Sequence, residues 1–478
     1  MRRKFATNLI LLLALNLLVK PFWIFGIDRT VQNIVGAGEY GLFFALFNFS
    51  FLLNILLDFG LTNYNNREIS RHSQLLPRFF SNMMVIKAMM SVAYIAVSFV
   101  FALILGYSGR QLWLLCFLAF NQLLSSLIMY LRSNISGLQF FKTDSLLSVT
   151  DRILMIIFSG ILIWGPLREK FRIEWFVYAQ TLSYSIAALI SFILVFRSAK
   201  TFRPHFDRAF LIAIVKQSYP YALLVLLMSF YYRIDTVMLE RMLPNGDIES
   251  GIYAQAFRLL DAANMVPYLF AGLLLPMFSK MIKNGETVQP LLGFAFSLLI
   301  VTSFSFAVAC FTYRDPIMDT LYVHHPKESS VVLGILMISF VFISVTYIFG
   351  TLLTANGSLR QLNIISAVGV VINIGLNLIL IPKYYVIGAA IASVFTQFTM
   401  ALLQVLASFR MFKINVKGKQ LWQFFFFTAG CIALMLVSIK LFSFWLLGFL
   451  FLLGGSFMLA LVVRIFKVSD ILKLLVQK

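Results

Sequence analysis

Apolar runs of about twenty residues recur from one end of the chain to the other, separated by short polar segments, each run long enough to cross ~30 Å of hydrocarbon as a helix. The pattern predicts fourteen spans, over residues 8–28, 40–62, 81–107, 111–131, 144–166, 174–196, 217–239, 251–278, 290–312, 331–355, 361–382, 386–411, 421–442 and 444–464. Barrel strands would show shorter segments of alternating polarity, and none runs through the sequence. No polar stretch is long enough to fold as a separate domain. The expected fold is an all-α polytopic membrane bundle.

An even number of spans puts both ends on one side, and the basic tail Arg464, Lys467, Lys473 and Lys478 assigns that side to the cytoplasm. Arg168, Lys170 and Arg172 fall in a loop expected on the other side and run against this rule. A basic segment with Arg197, Lys200, Arg203, Arg208 and Lys216 follows the sixth span. The expected organisation is therefore a six-helix lobe (1–196), a cytoplasmic linker (197–216), a second six-helix lobe (217–411) and two further helices with a tail (412–478). A faint repeat supports it. Gly38-Glu-Tyr40 opens the second span and Gly251-Ile-Tyr253 the eighth, and the same separation divides Lys20 from Arg233.

Composition sharpens the picture. The 478 residues are 60% hydrophobic and 12% charged, with mean hydropathy +0.90, against roughly 25% charged in a globular protein. The net charge of +20 follows the cytoplasmic loops and has no aromatic interleaving, so it does not point to nucleic acid. Cys116, Cys310 and Cys431 are scattered within spans, and His72, His205, His324 and His325 lack metal-ligand spacing. Met1-Arg-Arg-Lys4 looks like a signal n-region, but the apolar run passes Lys20-Pro21 without a cleavage site, so an uncleaved first helix is expected. Walker motifs, triads and paired loop carboxylates are missing, and the chain reads as a non-enzyme without a cofactor.

The candidate chemistry lies in charges within the spans. Lys20, Lys87, Arg152, Arg233 and Arg258 each cost a few kcal/mol if they face lipid, so they are expected to line a wet cavity or to meet a partner. Lys20 sits ~18 Å into the first span, just before Pro21, which can kink the helix. A cavity residue and half of a buried pair with Asp28 are both open to it. Arg233, beside Tyr231, Tyr232 and Asp235, has the planar fork that suits phosphate oxygens, although an interfacial aromatic belt gives the same pattern. Arg258 and Asp261 are spaced for an i,i+3 pair. Arg152 (next to Asp151) and Lys87 lie nearer the cytoplasmic ends, where they could snorkel or rim a path. Asp28, Asp58, Asp235 and Asp261 are the gating or ion-coupling candidates, with Na+ and H+ equally open.

Two segments carry a resemblance. Leu57-Asp-Phe-Gly-Leu-Thr62, and Asn373-Ile-Gly-Leu-Asn377-Leu-Ile-Leu-Ile-Pro382 continuing into Gly388-Ala-Ala-Ile-Ala-Ser393, resemble the polysaccharide (O-antigen) flippases of the multidrug/oligosaccharidyl-lipid/polysaccharide exporter superfamily. The resemblance implies a multi-pass protein of the bacterial inner membrane. It would move undecaprenyl-pyrophosphate-linked oligosaccharide across the bilayer by alternating access, in contact with membrane lipids and alongside a polysaccharide polymerase and a chain-length regulator. A drug or small-metabolite exporter of the same fold and a lipid II flippase are the other readings. The intramembrane cations, which at least match the acids in number, disfavour an exporter of cationic drugs.

Overall fold

A computed structural model describes residues 18–19, 21–202, 208–415 and 418–465. Lys20 lies outside the described residues, as does most of the first expected span. The described chain is helical, and twelve of its helices are long and apolar enough to cross a membrane. Packing divides the chain into two compact units, Met1–Gly251 and Ile252–Lys478.

In the first unit a π-helical turn, Trp23–Asp28, follows Pro21 after one residue. A proline lacks the N–H that continues an α ladder, and π turns mark such defects, often at functional positions. The helix α1, Arg29–Leu52, follows and breaks at Gly36, whose φ of 83° only glycine adopts without strain. Twelve residues of unbroken helix would separate Asp28 from Tyr40 by ~18 Å, yet the Tyr40 hydroxyl donates to Asp28 Oδ1 at 2.8 Å. The chain therefore doubles back at Gly36, and one continuous stretch holds the end of the first expected span and the whole start of the second.

The remaining helices of this unit are α2 (Leu61–Arg71), α3 (Leu76–Ile104), α4 (Gly109–Gly137), α5 (Phe141–Trp164), α6 (Ile173–Ala199) and α7 (Arg208–Met242). The segment 63–80, expected as a loop, is largely helical. A short turn with positive φ at Phe59 and Gly60 starts α2, and Asp58 Oδ1 caps it by accepting from the Thr62 N–H at 3.3 Å. Phe80, Met83, Ile86, Tyr130, Leu131 and Ile135 form a core between α3 and α4. In a bilayer such contacts hold by close packing rather than by exclusion of water.

Helix α8, Gly246–Ala263, crosses from the first unit into the second, followed by α9 (Met265–Lys283), α10 (Gln289–Thr312), α11 (Arg314–Leu321), α12 (Pro326–Ala355), α13 (Leu359–Phe412), α14 (Gly418–Leu441) and α15 (Trp445–Val462). The 54 residues of α13 include Pro382 and a reversal at Tyr385, where φ is 52°. A Cβ on Gly388 would overlap the Leu380 carbonyl, so the chain folds back on itself there. At the far end Asn356 Nδ2 donates to Met411 Sδ at 3.0 Å, so the two arms run antiparallel along their whole length. They are the eleventh and twelfth expected spans. Among the described residues the doubling at Tyr385 puts two expected spans into one of the twelve long apolar helices, and most of the first expected span lies outside the described residues. The last two helices pack through small residues: Ser438 Oγ donates to the Gly448 carbonyl at 3.0 Å and lies 2.6 Å from the Tyr313 hydroxyl.

Candidate functional site

Polar and charged side chains of the spans gather along α1 and the helices packed on it. At one end of this array Asp28, 1% exposed, accepts from Gln32 Nε2 at 3.0 Å and from the Tyr40 hydroxyl at 2.8 and 2.9 Å. A buried carboxyl requires such donors, because an unpaired one costs several kcal/mol. The Gly36 reversal supplies one of them by bringing Tyr40 back onto the π turn.

Arg152 reaches the same turn from α5. Its guanidinium carbon lies 5.6 Å from the centre of the Trp23 ring, and its Nε lies 3.7 Å from Asp151 Oδ2. Trp23 stacks on Phe176 at 5.7 Å, Phe176 meets Phe43 edge-on at 5.4 Å, and Phe43 lies 5.5 Å from Tyr40. A continuous aromatic run thus links the Arg152 cation to the Asp28 cage. Cation–π contact in a dehydrated place contributes about 1–2 kcal/mol, and Arg152 Nη1 also donates to Met155 Sδ at 3.5 Å.

Two turns beyond Tyr40, Asn48 holds the other arginine. Asn48 Oδ1 accepts from Arg233 Nη1 at 2.9 Å, while its amide nitrogen donates to Thr236 Oγ1 at 2.8 Å. The Arg233 guanidinium also lies 4.5 Å from the Phe51 ring centre and 5.7 Å from that of Tyr232. Asn48 is 1% exposed and so is Asp235. The amide orients the guanidinium, whose planar fork is a geometry that recognises phosphate and carboxylate oxygens.

Lys87 sits differently. Its ammonium donates to Asp58 Oδ1 at 2.8 Å, to the Leu57 carbonyl at 2.9 Å and to Ser126 Oγ at 2.8 Å. Three protein acceptors engage this three-donor group. Asp58 in turn also accepts from the Thr62 hydroxyl. Arg258 and Asp261 lie half-buried on α8 in the second unit.

A second polar group closes one end of the first unit. Arg110 makes a bidentate contact with Glu39 at 2.8 and 2.5 Å and donates to Glu174 at 2.6 Å. Glu240 accepts from the Tyr107 hydroxyl and from Gln111 Nε2, both at 3.2 Å, and Arg241 pairs with it above the Tyr107 ring. At the same end α1 meets the start of α8 with no room for a side chain. A Cβ on Gly41 would overlap the Asp247 carbonyl, and one on Gly251 would overlap that of Ala37.

The structure brings Arg152 to the π turn that ends at Asp28, ties Arg233 to Asn48 farther along α1, and gives Lys87 and Asp58 to each other. Sequence reasoning missed Asn48, Trp23, Glu39, Arg110, Glu174 and Glu240. A lone amide in the apolar run Phe47-Asn48-Phe49 was the one signal for Asn48. No group of three or more metal-ligating side chains occurs among the described residues.

Residues 6–282 match the family model described as polysaccharide biosynthesis protein. No curated protein matches the chain in sequence. Among solved structures, the chain is similar to the lipid II flippase MurJ in an inward closed conformation, with a TM-score of 0.72 at 15% identity over 97% of this chain and 100% of that one. It is also similar to an inward-facing multidrug resistance MATE family transporter of the MOP superfamily, with a TM-score of 0.66 at 14% identity over 82% and 94% of the two chains. A MOP superfamily transporter from Pyrococcus furiosus superimposes with a TM-score of 0.60 at 15% identity, over 85% and 94%. These likenesses show the fold, and the family match covers more than half of the sequence, so this multi-pass membrane protein belongs to the polysaccharide biosynthesis protein family.

Proposed function

We propose that the protein carries a polyprenyl-pyrophosphate-linked oligosaccharide from the inner to the outer leaflet of the bacterial cytoplasmic membrane, with both termini in the cytoplasm. The observation that carries this reading is the Arg233–Asn48 contact. It orients a guanidinium within an apolar span by an amide and an aromatic ring, and the planar guanidinium fork matches phosphate oxygens. Arg152 on Trp23 provides a second such group, and Lys20 a third from the first span. Arg258 belongs to the same proposal on its charge alone.

In this reading the glycine contact between α1 and the start of α8 is the closed outer gate, with Glu240, Tyr107 and Arg110 as its latches. Transport needs that contact to part, in step with a coupling ion, Na+ or H+, for which Asp28, Asp58, Asp235 and Asp261 are the candidates. No catalytic step is required.

The test is accumulation of lipid-linked glycan after deletion of the gene, with complementation by wild type, Arg233→Gln or Lys20→Ala. Intermediates trapped on the inner leaflet and released only by wild type support a flippase with working cations. Absence of any accumulation, with unchanged surface polysaccharide, rules out the reading.

A further inference from the structure

The doubled helix α13 carries a groove that the transport reading does not use. Between its two arms runs an open cleft of ≈ 500 Å³, walled by Ile364, Leu403, Leu406 and Ala407 and ending at Gln361 and Arg410. Ile364 and Leu406 are among the exposed large apolar residues of the chain, so the cleft lies open to the surroundings of a membrane helix. Its polarity is graded. The walls are hydrocarbon, and every polar lining residue sits at the end where the arms begin and finish.

Charge at that end is of one sign. Arg360, Arg410 and Lys413 are exposed there, and no acidic residue occurs between Glu328 and Asp470 in the sequence. Among the described residues Arg410 has no ion-pair partner. The first turn of α13 starts at the same place, and its positive dipole end adds to the field. An apolar slot with an unneutralised cationic rim fits an amphiphile whose head is anionic. A zwitterionic lipid would leave the rim uncompensated.

We infer that the groove of α13 is a binding site for an anionic glycerophospholipid, with one acyl chain between the arms and the phosphate at Arg410. The inference stands apart from the transported substrate. Bound lipid would clamp the two arms at their open end, opposite the Tyr385 reversal.

The experiment is native mass spectrometry of the purified full-length protein, titrated with phosphatidylglycerol or phosphatidylcholine from mixed micelles. The expected result is one phosphatidylglycerol retained selectively on wild type. Arg410→Gln should weaken that binding about fivefold, the share of one basic residue at a membrane surface. Ala407→Trp, which fills the slot, should abolish it. Arg410→Gln changes an exposed side chain and serves as the folding-neutral arm. Equal retention of phosphatidylcholine, or undiminished phosphatidylglycerol on Arg410→Gln, overturns the assignment. Displacement of the retained lipid by equimolar undecaprenyl phosphate also overturns it, because the groove would then belong to a polyprenyl tail.

Discussion

Lys87 and Asp58, 29 residues apart in sequence, form an ion pair at 2.8 Å in which the lysine side chain is 6% exposed and the aspartate 28%. The pair ties α3 to the turn that starts α2, and the Ser126 hydroxyl on α4 joins it. Its position explains why an ammonium is tolerated within a span: the protein supplies every acceptor it needs.

Removing one partner strands the other. Lys87→Met or Asp58→Asn should each lower stability by about 2–3 kcal/mol, below the roughly 3–5 kcal/mol of a fully enclosed pair because Asp58 is partly hydrated. The double variant should recover most of the loss, since neither charge is then left alone. Thermal unfolding of the detergent-solubilised protein reads all three, and strictly additive losses would show that the two residues act separately.

Gly388→Ala should be among the most damaging single-methyl changes in the chain. The new Cβ overlaps the Leu380 carbonyl and comes within 3.0 Å of the Ile381 nitrogen, and forced overlap of this kind costs about 3 kcal/mol. Gly375→Ala, on the same helix with nothing within 4 Å of its Cβ, is the control and should be neutral or gain up to ~1 kcal/mol. Equal Tm values for the two variants would refute the close approach of the arms.

Gly41→Ala should disfavour the contact between α1 and the start of α8 without unfolding either helix. Ser250, fully buried beside that contact, reports on it. In a Cys116→Ser background, Ser250→Cys should react slowly with a maleimide, and adding Gly41→Ala should speed the reaction at least about tenfold, the effect of ~1.4 kcal/mol on an opening equilibrium. Unchanged labelling would mean that the contact is not a gate.

Arg233→Lys keeps the charge and loses the fork. Clearance of accumulated lipid-linked glycan in the deletion strain should fall about tenfold, with membrane insertion unaltered, because a lysine cannot donate in a bidentate fashion from the Asn48-held position. Activity equal to wild type would falsify the role assigned to the guanidinium.

Hydropathy made the helices legible because a span must be apolar over its whole length, whatever it packs against. It could not show how tightly the chain turns at Gly36 and Tyr385, since at each of them one residue with positive φ breaks the helix. The loops expected over 63–80 and 313–330 hold α2 and α11, short polar helices whose periodicity hydropathy alone does not separate from loop. The buried charges stood out in the sequence for what they cost in lipid, and Lys87 did so as plainly as Arg233. Their partners did not. Ser126 and Asn48 are neutral, distant in sequence and chosen by packing, so nothing local distinguishes an arginine held by an amide from a lysine closed into an ion pair. Arg110, Glu39 and Glu174 escaped notice because charges at helix ends are ordinary until the fold brings three of them together.

The reversal at Tyr385 also bears on how the protein is made. With so little chain between the two arms of α13, no hydrophilic loop is available to let the first cross and wait. Both arms must enter the bilayer as a single hairpin, and the ribosome must have released Ala389 through Ser408 before either arm finds the neighbour its small and polar residues are shaped for. A nascent chain arrested just past Pro382 would therefore still expose its eleventh span to the insertion machinery, and only further synthesis would hand it over to lipid.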